Sequence, residues 1–134
     1  MYKFSETEQN LLDLSPVGRI AFVGVDGTPR VTPVCPLLYN GAIYIETDKN
    51  DWKVTAIESA STVAFVVDEY TDNWEELRGV RMQGHAEVIS RGDEYMLTKK
   101  LLFEKFPQFS TLGWKDGNHV IMKIVPVRAT NWGL

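Results

Sequence analysis

Taken alone, Lys53 reads as a solvated helix lysine, yet its position also suits an anion. It follows the polar stretch Asp48-Lys49-Asn50-Asp51-Trp52 and falls in the first turn of a segment whose Trp52, Val54, Ala56 and Ile57 have helical spacing. A loop entering a helix leaves backbone N–H groups unpaired and presents the positive end of the helix dipole. Lys53 adds a full charge there, and the Thr47 hydroxyl adds a donor. Asp48 and Asp51 count against an anion, although they complement the dipole. The remaining reactive side chains are scattered. Cys35 is the single cysteine, which excludes an internal disulfide, and with only His85 and His119 it undersupplies a closed zinc site. It reads as a small buried hydrophobe. His85, on the polar face of a strand, and His119, at the start of another, read as structural. Arg78 and Arg81 read as solvated strand arginines. No catalytic triad and no carboxylate pair stands out.

The elements that must position these residues belong to one domain, residues 1–134. Hydrophobic residues make up 44% of the chain and charged residues 24%, as in ordinary globular proteins. A net charge of −4 without clustered Lys and Arg argues against nucleic acid as a partner. No basic helix face suits a membrane surface, no apolar run is long enough to span a bilayer, and the polar amino terminus has no signal-peptide pattern. A reducing, cytoplasmic setting is expected.

Ser5-Glu6-Thr7-Glu8 is a capping box, so a helix begins there, carries Leu11, Leu12 and Leu14, and stops at Ser15-Pro16. Strands follow over 18–25, 30–38 and 42–47, joined at Asp26-Gly27 and Asn40-Gly41, which predicts a three-stranded meander. Pro33 and Pro36 cannot donate to a ladder, so the middle strand should be partly unpaired or bulged. The helix after Thr47 is capped by Asp48 or Asn50. Further strands are predicted over 62–68, 78–90 and 119–125. The strand over 78–90 turns Val80, Met82, Gly84, Ala86 and Val88 to one face. A helix over 93–105 turns Leu97, Leu101 and Leu102 inward. Six strands with short flanking helices predict a mainly β, antiparallel barrel, since closure removes most exposed edges.

The order of these segments resembles a known family. Gly18-Arg19-Ile20-Ala21-Phe22-Val23, then Asp26-Gly27-Thr28-Pro29-Arg30-Val31-Thr32-Pro33-Val34, is similar to the opening hairpin of the pyridoxamine 5'-phosphate oxidase-like split barrels. Tyr44-Ile45-Glu46-Thr47 leading to Trp52-Lys53, Trp74-x-x-Leu77 before Val80-Arg81-Met82-Gln83-Gly84, and the closing Pro126-Val127-Arg128-Ala129-Thr130-Asn131-Trp132 continue the likeness across residues 17–132.

The resemblance implies a six-stranded Greek-key split barrel, a homodimer, and FMN (in one branch a deazaflavin, in a few relatives haem) bound at the subunit interface. It lays Arg30, Val31, Thr32, Pro33, Val34 and Cys35 along the isoalloxazine ring. It brings Glu46 and Thr47 to the ribityl-phosphate end, with Lys53 on the phosphate and Trp52 where many relatives carry Arg. Trp132 becomes either a terminal core anchor or an aromatic wall beside the neighbouring subunit's flavin. The implied activity is that of a flavin oxidoreductase acting on a small-molecule redox substrate. Deazaflavin-dependent reduction and non-enzymatic flavin storage or sensing are the alternatives. Oxidation of vitamin B6 is not expected. Gly79 stands where those oxidases carry a flavin-binding Gln, and the basic segment that follows the closing Trp in them is not seen after Trp132.

Overall fold

The structure, a computed structural model, describes all 134 residues. Helix α1 (Glu6–Leu14) precedes β1 (Gly18–Val23), β2 (Pro29–Val34), β3 (Leu37–Tyr39) and β4 (Ala42–Asp48). Helix α2 (Trp52–Ser59) leads to β5 (Thr62–Glu69) and β6 (Arg78–Ile89), and α3 (Asp93–Lys105) leads to β7 (His119–Trp132). The turn chemistry is as expected. Asn40 and Gly41 both have positive φ, 49° and 80°, which suits the primed turn of a two-residue hairpin.

All seven strands form one antiparallel sheet in the order β2-β1-β5-β6-β7-β4-β3. β2 and β3 therefore occupy opposite edges of the sheet, yet only Cys35 and Pro36 separate them in the chain. Two linking residues span at most roughly 10 Å, whereas a flat sheet of seven strands is about 28 Å across. The sheet has to curl until its edges meet, and the result is a split barrel.

The same link corrects two expectations. The strand predicted over 30–38 is two strands, so the barrel has seven rather than six. The three-stranded meander does not form either: β2 pairs with β1, β3 pairs with β4, and β2 never pairs with β4. The last strand also runs on to Trp132 instead of stopping at Val125. It passes Pro126 through a register shift opposite Gln83 and Gly84, and Gly84 is required there because a Cβ would lie 2.3 Å from the Val125 carbonyl oxygen.

The barrel interior is filled by inward positions of β1, β4, β5, β6 and β7, among them Ile20, Phe65, Val67, Met82, Ile43, Ile45 and Ile124. Helix α1 feeds the start of β1 and closes that end with Leu11 and Leu12; α2 feeds the start of β5 and closes the opposite end with Ala56 and Ile57. Leu14 is exposed. A second cluster lies outside the barrel, where Tyr95, Leu102, Phe106 and Phe109 cover Leu37, Tyr44 and Ile121. In α3 the inward residues are Tyr95, Thr98 and Leu102, and Leu97 faces solvent, one helical position away from the expected stripe.

The capping box at Ser5 has a further task. Glu8 is fully buried, and its carboxylate accepts from the Ser5 backbone N–H at 2.8 Å, the Tyr2 hydroxyl at 2.9 Å and the Asn131 side-chain amide at 2.9 Å. This network ties α1 to the end of β7. Burial alone would raise the Glu8 carboxyl, but hydrogen bonds from Asn131, Ser5 and Tyr2 outweigh it and hold the group below its ordinary value. Glu8→Ala should lower stability by about 2–3 kcal/mol in denaturant titration, because three donors lose a charged partner. Glu8 should also make stability depend on acid. Its contribution should be complete above the ordinary glutamate pKa and lost as pH falls through the lowered native value, a loss the Ala variant should not show.

Candidate functional site

Closing a sheet by one two-residue link in the chain, rather than by a ladder, leaves backbone edges open. β3 pairs only with Ala42, Ile43 and Tyr44, so Ile45, Glu46, Thr47 and Asp48 have β7 on one side and no strand on the other. β2 likewise pairs only with β1. The two open edges, Pro29–Val34 and residues 45–48, form the lips of the split. Cys35 and Pro36 join it at one end, and the first turn of α2 lies at the other.

Along β2 the side chains alternate across the sheet. Val34 packs against the interior cluster, whereas Val31 stands 68% exposed on the outer face. Pro29 and Pro33 have no N–H, so the open edge of β2 presents more acceptors than donors. Cys35 is exposed at the crossing, which corrects its expected role as a buried hydrophobe. Partial burial, assisted by Glu46, still pushes its thiol up, so it is not an activated thiolate. The Pro36 carbonyl beside it accepts from the Lys105 ammonium at 2.7 Å.

On the opposite lip, Thr47 is buried and its hydroxyl has no partner within the protein. Such a group costs free energy until something bonds it. Glu46 points to the other face. Burial raises its carboxyl, while His119 at 3.8 Å and Lys53 draw it back. His119 is held in turn by the backbone of Lys115, whose N–H donates to its Nδ1 at 2.9 Å.

The first turn of α2 gathers the aromatic and cationic groups. The Trp52 ring meets Phe22 edge-on at a centroid distance of 5.4 Å, with the Arg30 guanidinium at 5.4 Å and the Lys53 ammonium at 5.5 Å from its centroid. Cation–π contact thus draws Arg30 of β2 and Lys53 of α2 to one ring. The helix cap is Asp51 rather than Asp48 or Asn50: its Oδ1 accepts the Lys53 backbone N–H at 2.9 Å and pairs with the Lys53 ammonium at 2.8 Å. Burial opposes ionisation of Asp51, but these Lys53 bonds lower its carboxyl. Asp51 therefore already occupies the anion-binding position the sequence suggested.

Trp132 lies elsewhere. It pairs with Gly79 at the barrel end closed by α1, far along the strands from α2. It is 38% exposed, and its ring lies against Gly79, where a Cβ would fall 2.1 Å from Cζ2. Trp132 is thus not a buried core anchor, and a single chain does not bring it to Trp52 and Lys53. A further feature escaped the sequence reading: Arg19, Arg81 and Arg128 converge on a groove of about 480 Å³ on the outer sheet face. Only cross-strand register unites them, and a single sequence shows no such pairing.

A sequence profile of the pyridoxamine 5'-phosphate oxidase family matches residues 5–130. No curated protein sequence matches. Among solved structures, a conserved Mycobacterium tuberculosis protein, Rv2991, superposes with a TM-score of 0.83 at 24% identity, covering 96% of this chain and 84% of that one. A FAD-binding protein of Mesorhizobium loti gives 0.78 at 18% identity, over 96% and 94% of the two chains. An F420 reductase gives 0.73 at 20% identity, over 95% and 98%. Matched over nearly its whole length and folded as the same split barrel, the chain belongs to the pyridoxamine 5'-phosphate oxidase-like family.

Proposed function

We propose that this protein is an FMN-binding oxidoreductase that works as a homodimer, with the flavin lodged in the split between β2 and β4. The observation that carries this reading is the buried, unpartnered Thr47 hydroxyl between two open strand edges. A flavin meets what those edges lack. Its pyrimidine rim carries an N–H donor between two carbonyl acceptors, complementary to a strand edge, and its ribityl chain carries hydroxyls for Thr47. The phosphate end would reach Lys53 and Arg30, with Lys53 exchanging its Asp51 partner for the phosphate. FMN, when bound, supplies hydride or single-electron transfer through its N5. The chain's own residues hold and orient the ring.

Family membership and the structural likeness to a FAD-binding protein and an F420 reductase support a flavin or deazaflavin. Haem is disfavoured by the histidines, since His119 is engaged by Lys115 and Glu46 while His85 is exposed on β6. Vitamin B6 oxidation is disfavoured because Gly79 offers no side chain and its surface is taken by Trp132. The homodimer reading draws on the distance between Trp132 and α2 within one chain: only a second copy could bring such a ring to the split.

Two substitutions test the placement. Lys53→Ala should weaken FMN binding by roughly 10- to 100-fold in a fluorescence titration, the worth of one charge-assisted contact, and leave riboflavin binding nearly unchanged. Equal losses for both ligands would remove Lys53 from the phosphate. Thr47→Val should stabilise the flavin-free protein by about 1–2 kcal/mol, because it deletes a buried polar group without a partner. The same variant should bind both FMN and riboflavin more weakly. A Val variant that is less stable in the absence of flavin would show that the hydroxyl already has a partner.

A further inference from the structure

The outer face of β1, β5, β6 and β7 carries an arrangement that the flavin site does not use. Arg19, Val66, Arg81 and Thr130 stand in one cross-strand row, with Arg128 in the next position along β7 opposite Gln83. Two strand spacings put Arg19 and Arg81 about 10 Å apart. Ala21, Ala64, Val66 and Ala129 floor the groove between them. In a chain of net charge −4, these three cations have almost no acidic partners. Arg19 reaches Asp68 at 3.9 Å with both side chains about half exposed, Arg81 bonds only the Thr130 hydroxyl at 3.0 Å, and Arg128 pairs with nothing.

The complementary chemistry lies beside it, in the loop from β5 to β6. Glu69 is taken by Arg78 at 2.8 Å, but Asp72, Glu75 and Glu76 have no cation partner. Between them Trp74 is 73% exposed and Tyr70 is 70% exposed. The loop is nonetheless built: the Asn73 side chain accepts the Glu75 backbone N–H at 3.2 Å, and the Trp74 indole N–H donates to the Tyr70 hydroxyl at 3.4 Å. An ordered loop that holds Trp and Tyr in water among free carboxylates has the composition of an interface anchor. Arginines above an apolar floor form its natural counterpart.

We propose that the acidic-aromatic loop around Trp74 of one copy docks into the Arg19–Arg81–Arg128 groove of a second copy, and the reverse, so that these two contacts hold the homodimer together. This rests on the homodimer reading above and adds the surface that makes it. The geometry suits a two-fold contact. The loop leaves from the ends of β5 and β6, the strands whose Val66 and Arg81 line the groove, so an axis beside them sets each loop over the other copy's groove. Asp72, Glu75 and Glu76 then meet the three guanidinium groups, and Trp74 covers the small residues of the floor. The same docking carries the neighbouring Gly79–Trp132 pair toward the partner's β2, whose Val31 lines the groove.

Charge reversal in four proteins, read by sedimentation equilibrium, tests this. The four are the wild type, Arg81→Glu/Arg128→Glu, Glu75→Arg/Glu76→Arg, and the chain carrying all four changes. Each double variant should raise the dimer dissociation constant ~100-fold or more, as expected when close interfacial charges are turned against each other. The quadruple variant should recover most of the affinity, which an unfolded chain could not do. Wild-type association should also weaken as salt is raised. A wild type that stays monomeric at micromolar concentration overturns the homodimer reading and this inference together. A dimer indifferent to both reversals overturns the inference alone. A dimer that survives the groove reversal but loses FMN makes the groove a ligand site, which also overturns it.

Discussion

The architecture depends on the two-residue passage through Cys35 and Pro36. A chain that leaves one edge of a seven-stranded sheet and enters the other edge two residues later forces the sheet into a barrel. It also forbids complete closure. Pro33 and Pro36 cannot donate, so no continuous ladder can seal β2 to β4. The carbonyl this passage would orphan is met by Lys105, whose ammonium also donates to the Leu12 carbonyl at 3.2 Å. One half-buried cation thus joins α3, α1 and the crossing, and partial burial lowers its pKa. The second apolar cluster, under α3, fixes the backbone that carries this lysine.

The split follows directly from that constraint. Hydrogen bonds that a closed barrel would make among its strands remain open along β2 and β4, and a hydroxyl remains buried without a partner at Thr47. Sites of this kind need little catalytic equipment of their own when the ligand carries the reactivity. The electrostatics at the mouth are finely balanced. Lys53 and Arg30 share the Trp52 ring, but Glu46 and Asp51 act on Lys53, and Asp51 holds both the helix cap and the ammonium. A phosphate there would have to displace a carboxylate rather than enter an empty cradle, so its affinity would be set by a difference between two ion pairs.

Much of this was legible in the residues. The capping box at Ser5, the Asn40-Gly41 turn, the alternation of β6 and the helix after Thr47 are local patterns, and local chemistry fixes them. The family likeness lay in the order of segments, each weak alone. The missed features were non-local. Nothing in Arg30–Leu38 reveals that its two halves pair with different partners, although the prolines marked the weak point. Asp51 won the cap from Asp48 because Asp48 spends its carboxylate on the Asn50 N–H, at 2.8 Å. Leu97 turned outward because Tyr95, which bonds Asp116 and receives the Trp114 indole N–H, claims the inner face of α3. The arginine groove arises only when register sets Arg19, Arg81 and Arg128 side by side.

Visible absorbance of the protein measures most directly whether the split receives a flavin phosphate. After incubation with excess FMN and removal of free ligand, the protein should show a flavin spectrum at one equivalent per chain, with bands shifted and sharpened by the strand edges around the ring. A protein that emerges colourless from that treatment, or that carries a haem Soret band instead, would contradict flavin binding there.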